Sequence, residues 1–165
     1  MPETKPTRLP APNRLEAAYQ TAVAALLAER TPDGHWVGEL STSALSTATA
    51  VIALYLVGER GGQRHDDLVA GGLRWLAEHQ NADGGWGDTV KSFSNISTTM
   101  LCRAAFYLTG NATPQEAVVG RCEKWLERFG KTPIELAEAV RARYGKDRTF
   151  AVPILTTCAL AGLVS

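Results

Sequence analysis

The sequence predicts an all-α chain, a layered αα-repeat that is either a solenoid or a partial α/α barrel (toroid), with about seven helices alternating between an outer and an inner layer. Three observations lead there. Helix-start and helix-stop residues recur along the chain, while alternating strand patterns are nearly absent. The apolar-periodic segments are of two kinds, one with a charged face and one apolar all round. A turn rich in glycine and tryptophan also returns after about 50 residues.

Residues 1–13 carry Pro2, Pro6, Pro10 and Pro12 with charges between them and no apolar run of signal-peptide length. They read as a Pro-rich, disordered arm, and 14–165 as the helical repeat. Asn13 and Glu16 have capping-box spacing and predict a helix over 14–29. An apolar helix is expected over 43–57. Asp66 and Asp67 open a helix over 66–79, where carboxylates favour the helix dipole. Asn95 caps a helix over 95–108, so the sequon Asn95-Ile96-Ser97 reads as a cap rather than a glycosylation site. Thr113-Pro114-Gln115-Glu116 predicts a start for 114–129, and Thr132-Pro133-Ile134-Glu135 repeats that chemistry for 133–143. A last helix is expected over 149–164. Gly58, Gly110, Gly130 and Gly145 stand where left-handed C-terminal caps belong.

Helices 14–29, 66–79 and 114–129 have a charged face, through residues such as Glu16, Asp67, Arg74, Glu123 and Arg128. Helices 43–57, 95–108 and 149–164 carry only Arg103 as a charge. A helix apolar on every side must be covered on every side, so these are the inner helices. Helices 95–108 and 149–164 are expected to lack cover on one side, which implies self-association through uncovered inner helices. A buried Arg103 would need a partner, with Asp88 or Glu39 as candidates; the favoured reading points it into water at the barrel end.

With 17 basic and 17 acidic side chains the chain has no basic surplus, which excludes a nucleic-acid footprint. No apolar stretch reaches the ~18 residues of a membrane span. Cys102, Cys122 and Cys158 are odd in number and lack metal-ligand spacing, and they read as reduced core residues of a cytoplasmic chain. His35, His65 and His79 lie far from them in sequence. No metal, cofactor or catalytic residue is predicted.

Asp33-Gly34-His35-Trp36-Val37-Gly38 aligns with Asp83-Gly84-Gly85-Trp86-Gly87-Asp88, and Leu26 with Leu76. Thr47 and Thr49 align with Ser97 and Thr99. Trp75-Leu76 aligns with Trp125-Leu126, but 130–136 has lost the glycine-tryptophan turn. The unit is an outer helix, a turn and an inner helix. Glycines supply the positive φ of a sharp reversal, and the indole covers the turn. The Gln80 amide can bond backbone groups at a helix end. Asp33, Gly34, Trp36, Trp75, Gln80, Asp83, Gly84 and Trp86 are therefore expected as structural turn residues.

The stretch Gly72-x-x-Trp75-Leu76-x-x-x-Gln80-x-x-x-Gly84-x-Trp86 resembles the QW repeat of squalene and oxidosqualene cyclases, with Gly71 in place of the usual basic residue. Residues 33–40, from Asp33 to Leu40, resemble the N-terminal signature of the squalene-hopene cyclase group, with Arg30 where the motif has Gln. The resemblance is good over about 14–110 and weaker beyond. It implies a terpene cyclase of triterpenoid or hopanoid biosynthesis, an isomerase with two α/α-barrel domains, an apolar cavity, a polyprenyl substrate and peripheral membrane attachment. It also implies an acid in an Asp-x-Asp-Asp motif, which the sequence does not contain.

Seven helices are too few to close such barrels, and an apolar helix runs to the end of the sequence. The expectation is thus an N-terminal portion of a cyclase-like enzyme, inactive alone, whose polyprenyl substrate binds only in the full-length context. Two alternatives come from other classes: a non-catalytic αα-repeat module that binds an apolar ligand or a protein, and a subunit like the prenyltransferase β chain.

Overall fold

The computed structural model describes residues 11–36 and 42–164. The chain divides into two compact units, 1–40 and 41–165. Most of the proline arm, together with Val37, Gly38, Glu39 and Leu40 of the signature, lies outside the described residues.

The first unit holds α1 (Pro12–Ala28) and the turn that follows it. The expected capping box at Asn13 does not form. The helix takes in Pro12 and Asn13, with Ala11 as its N-cap and no side-chain cap. Proline at the first helical position lacks only a donor that would go unused there, and the helix starts two residues earlier, at Pro12. Glu16 then serves mid-helix, accepting from the Gln20 amide at 2.7 Å.

The second unit holds α2 (Ala44–Glu59), α3 (Asp66–Glu78), α4 (Ile96–Leu108), α5 (Glu116–Leu126), α6 (Pro133–Tyr144) and α7 (Ala151–Leu160). With α1 these are the seven expected helices, and the described residues contain no strand. Helix α4 packs against α2, α3, α5, α6 and α7; α2 also packs against α3, and α6 against α7. The amphipathic α3 and α5 thus lie outside a row of apolar helices α2, α4 and α7.

One expectation about that row is corrected. Helix α4 is not left open on one side: Ile96 to Cys102 and Ala104 to Phe106 are all buried. Its neighbours cover it on every side, as a helix with almost no polar face requires. Helix α7 buries only Ala151, Ile154 and Cys158, and its Val152 and Leu160 are exposed.

Caps explain the helix limits, with further corrections. Ser43 and Asn95 cap α2 and α4 through bonds to the N–H groups of Ser46 and Thr98. These caps are spaced two positions wider than the glycine turns, so Thr47 rather than Thr49 is the counterpart of Thr99. Thr132 and Glu135 form the full capping box of α6. The same four-residue pattern at Thr113 does not: α5 begins later, at Glu116, with Gln115 as its N-cap. There the backbone is already coiled, since the Gln115 N–H donates to the Asn111 carbonyl and that of Glu116 to Thr113. The expected left-handed glycines hold at Gly110 and Gly145, but Gly58 lies inside α2 and Gly61 takes the positive φ. Gly130 has no positive φ; it is needed for space, because an added Cβ would collide with the Glu135 side chain.

Cys102, Cys122 and Cys158 are buried and free. Burial pushes all three thiols up, that of Cys158 to about 12. Among the described residues no group of three or more His, Cys, Asp or Glu side chains could hold a metal ion, and no helix is long and apolar enough to cross a membrane.

Candidate functional site

The turn between α3 and α4 is the most heavily bonded place in the second unit. Gly84 takes φ +91°, and its N–H donates to the Asn81 carbonyl at 2.9 Å while the Asn81 N–H donates to Gly85 at 3.0 Å. Only glycine fits here, because an added Cβ would stand 2.6 Å from the Arg121 carbonyl oxygen. Trp86 is 1% exposed. Its indole N–H donates to the Leu76 carbonyl near the end of α3 at 2.9 Å, satisfying one of the acceptors a helix end leaves open. Its backbone N–H donates to the Thr99 hydroxyl at 3.0 Å, which fixes the turn to α4.

Gln80 does what its amide allows, and over a longer range. Nε2 donates to the carbonyls of Gly84 (2.7 Å) and Val118 (3.0 Å), while Oε1 accepts from Nε of Arg121 at 2.8 Å. Asp83 is the acceptor at the opposite side of the turn. Oδ1 receives the Gly85 N–H (3.1 Å) and the Ser94 hydroxyl (2.6 Å), and Oδ2 receives the Trp125 indole N–H (2.8 Å). Partial burial acts to raise the Asp83 pKa, but the bonds from Ser94, Gly85 and Trp125 and the charge of Arg128 outweigh it and hold the carboxyl below its ordinary value. Gln80 and Asp83 thus bind the turn to the next outer helix, α5, and not only to its own repeat.

The first unit builds the same turn. Gly34 takes φ +85°, its N–H donates to Thr31 at 2.9 Å, and the Thr31 N–H donates to the His35 carbonyl at 2.8 Å. The Trp36 indole N–H donates to the Leu26 carbonyl at 2.6 Å. That bond spans ten residues, as does the one from Trp86 to Leu76. Arg30, which departs from the motif's Gln, preserves its bond: Nε donates to the Gly34 carbonyl at 2.8 Å, and the guanidinium lies 5.6 Å from the Trp36 ring. Among the described residues of its unit, the carboxylate of Asp33 has no equivalent of the Asp83 bonds.

Trp75 lies half-buried on α3 and stacks on His79 at 4.1 Å. Trp125, its counterpart on α5, meets Phe129 at 5.0 Å.

Several partners were absent from the sequence reading. Ser94 and Asn81 brace the far side of the turn, with the Asn81 amide donating to the Ser94 hydroxyl at 2.9 Å. Asp88 accepts from the Asn95 amide at 2.8 Å and from the Thr98 hydroxyl, and its carbonyl accepts from the Ser43 hydroxyl at 2.6 Å. This joins the starts of α2 and α4. Asp88 is therefore not the partner of Arg103. Nor does Arg103 point into open water: its side chain is 14% exposed, and Nε donates to Glu123 of α5 at 2.7 Å. The Tyr107 hydroxyl donates to the same Glu123 oxygen at 3.0 Å. Glu39, the other candidate, lies outside the described residues.

The family described as squalene-hopene cyclase N-terminal domain matches residues 19–131. The chain is 29% identical over 125 residues to enfumafungin synthase of Hormonema carpetanum, a match covering 69% of the chain and 9% of that protein. It is 37% identical over 70 residues to ent-copalyl diphosphate synthase 1 of Isodon eriocalyx and of Isodon japonicus, covering 41% of the chain and 9% of each relative. The chain thus spans a small part of the length of these curated relatives. No solved structure matches it.

Proposed function

The chain belongs to the squalene-hopene cyclase N-terminal domain family, and we propose that it serves there as a rigid helical wall of a polyprenyl-cyclising enzyme rather than as the site of its chemistry. The observation that carries this reading is the use to which the turn's polar groups are put. Gln80, Asp83, Trp86 and Trp125 spend their donors and acceptors on each other's helices. Protonating an unactivated alkene needs a carboxylic acid that keeps its proton until the substrate is seated. Asp83 is held in the opposite sense, as an ionised acceptor of three donors. The sequence also contains no Asp-x-Asp-Asp motif.

In this reading the acid and most of the substrate cavity belong to further parts of the enzyme, and membrane contact is peripheral. The test is to incubate the purified 165-residue chain with squalene in detergent and analyse the extract by mass-resolved chromatography. Unchanged squalene is expected. A cyclised product formed by the chain alone would overturn the reading.

A further inference from the structure

The third copy of the repeat loses its turn, and the structure shows what stands in that place. By sequence position Pro133 and Leu136 replace Asp83 and Trp86, Lys131 replaces Asn81, and Gly130 replaces Gln80. No indole reaches the Leu126 carbonyl, which accepts instead from the Phe129 N–H at 2.9 Å. The result is a cleft of about 190 Å³ between α4, α5 and the start of α6, whose apolar walls are Leu126, Pro133 and Leu136.

Arg103 reaches this cleft from α4, and Lys131 stands on its rim. Among the described residues the guanidinium makes its side-chain hydrogen bond through Nε, to Glu123, and its carbon lies 5.3 Å from the centre of the Tyr107 ring. The repeat supplies an internal control for that ion pair. With the inner helices aligned on their caps, the counterpart of Arg103 is Val51, which packs directly on Gly72 of α3. The counterpart of Glu123 is Leu73, also buried. At these two positions the fold is therefore built with apolar side chains. An ion pair at the equivalent α4–α5 contact costs desolvation that apolar residues avoid, so the fold does not require it there.

We propose that this cleft binds a small monocarboxylate with an apolar body. The carboxylate sits on the terminal nitrogens of Arg103 and on Lys131, and the body fills the space between Leu126, Pro133 and Leu136. A guanidinium fork matches a carboxylate in two parallel bonds. Glu123 and Glu127 also line the cleft and cancel its two cations, so no surplus of positive charge offsets the larger desolvation cost of a dianion.

The test uses ¹⁵N-labelled chain titrated with benzoate, benzamide and inorganic phosphate, followed by NMR at the Arg103 side chain and the Lys131 and Leu136 amides. Benzoate is expected to give saturable shifts at these signals, with neither benzamide nor phosphate doing so at equal concentration. Lys131→Ala, at an exposed residue, should leave the rest of the spectrum in place and weaken benzoate binding about ten-fold, the loss of one charge-assisted contact. Leu136→Trp, which refills the cleft with the missing indole, should abolish binding. Absence of saturable benzoate shifts, equal shifts with phosphate, or unchanged affinity in Lys131→Ala would each overturn the proposal.

Discussion

The indole N–H of Trp125 donates to Oδ2 of Asp83 at 2.8 Å, so the turn before α4 is fastened to the outer helix after it. Because the acceptor is a carboxylate that also receives Gly85 and Ser94, its charge state governs the joint. Folding lowers the Asp83 pKa. Its stabilising contribution is therefore complete above the unfolded-chain value of about 3.9 and is lost as pH falls through the lower, folded value. Urea melts taken between neutral pH and about pH 3 should show the wild type losing stability in that acid window. Asp83→Asn should start less stable by about 1–2 kcal/mol at neutral pH, as expected when charge-assisted bonds become neutral ones. It should also lose less on acidification. An identical acid slope in both proteins would show that Asp83 does not carry the effect.

Trp86 combines burial with a bond to the Leu76 carbonyl. Trp86→Ala should cost about 3–5 kcal/mol in equilibrium unfolding, the range for deleting a buried aromatic ring. Trp86→Phe keeps much of the packing but leaves that carbonyl without its donor, and should cost about 1–3 kcal/mol. If the two variants proved equally stable, the ring would not be contributing through its packing.

This turn was legible in the sequence because its chemistry is local. The glycines, the indole and the helix end it serves lie within a few residues of one another, and a second copy marks the pattern. Arg30 was harder to read, since a guanidinium Nε can donate where an amide Nε2 does, and the hydrogen bond survives a substitution that breaks the motif. The bonds from Gln80 to Val118 and from Asp83 to Trp125 were not visible at all. They join residues brought together by the way α5 packs, and spacing along the chain carries no trace of that. The same holds for Arg103, whose partner Glu123 lies on the next outer helix rather than on the nearer turn residue Asp88.

Gly84 and Gly110 both have positive φ, at +91° and +71°, yet they differ in their surroundings. A Cβ at Gly110 would meet nothing within 4 Å, whereas one at Gly84 would be 2.6 Å from the Arg121 carbonyl oxygen. Gly110→Ala should therefore cost only the backbone penalty, about 1–2 kcal/mol. Gly84→Ala should cost clearly more, because the turn must also move away from α5. Equal costs in thermal or urea unfolding would mean that the turn and α5 are not packed closely.

Thr113 and Thr132 open the same four-residue pattern and should respond differently to the same substitution. The Thr132 hydroxyl accepts from the Glu135 N–H at 3.2 Å, and Glu135 returns the bond by accepting from the Thr132 N–H at 2.9 Å. Thr132→Ala removes a side-chain cap, which typically costs about 1 kcal/mol. At Thr113 no side chain caps α5, and the first N–H groups are taken by backbone carbonyls. Thr113→Ala should then stay within about 0.5 kcal/mol of the wild type, as surface changes away from such features do. Paired urea melts decide the matter, and the comparison isolates backbone context from sequence because the motif is common to both sites. A cost at Thr113 as large as that at Thr132 would show that the first motif caps its helix in solution.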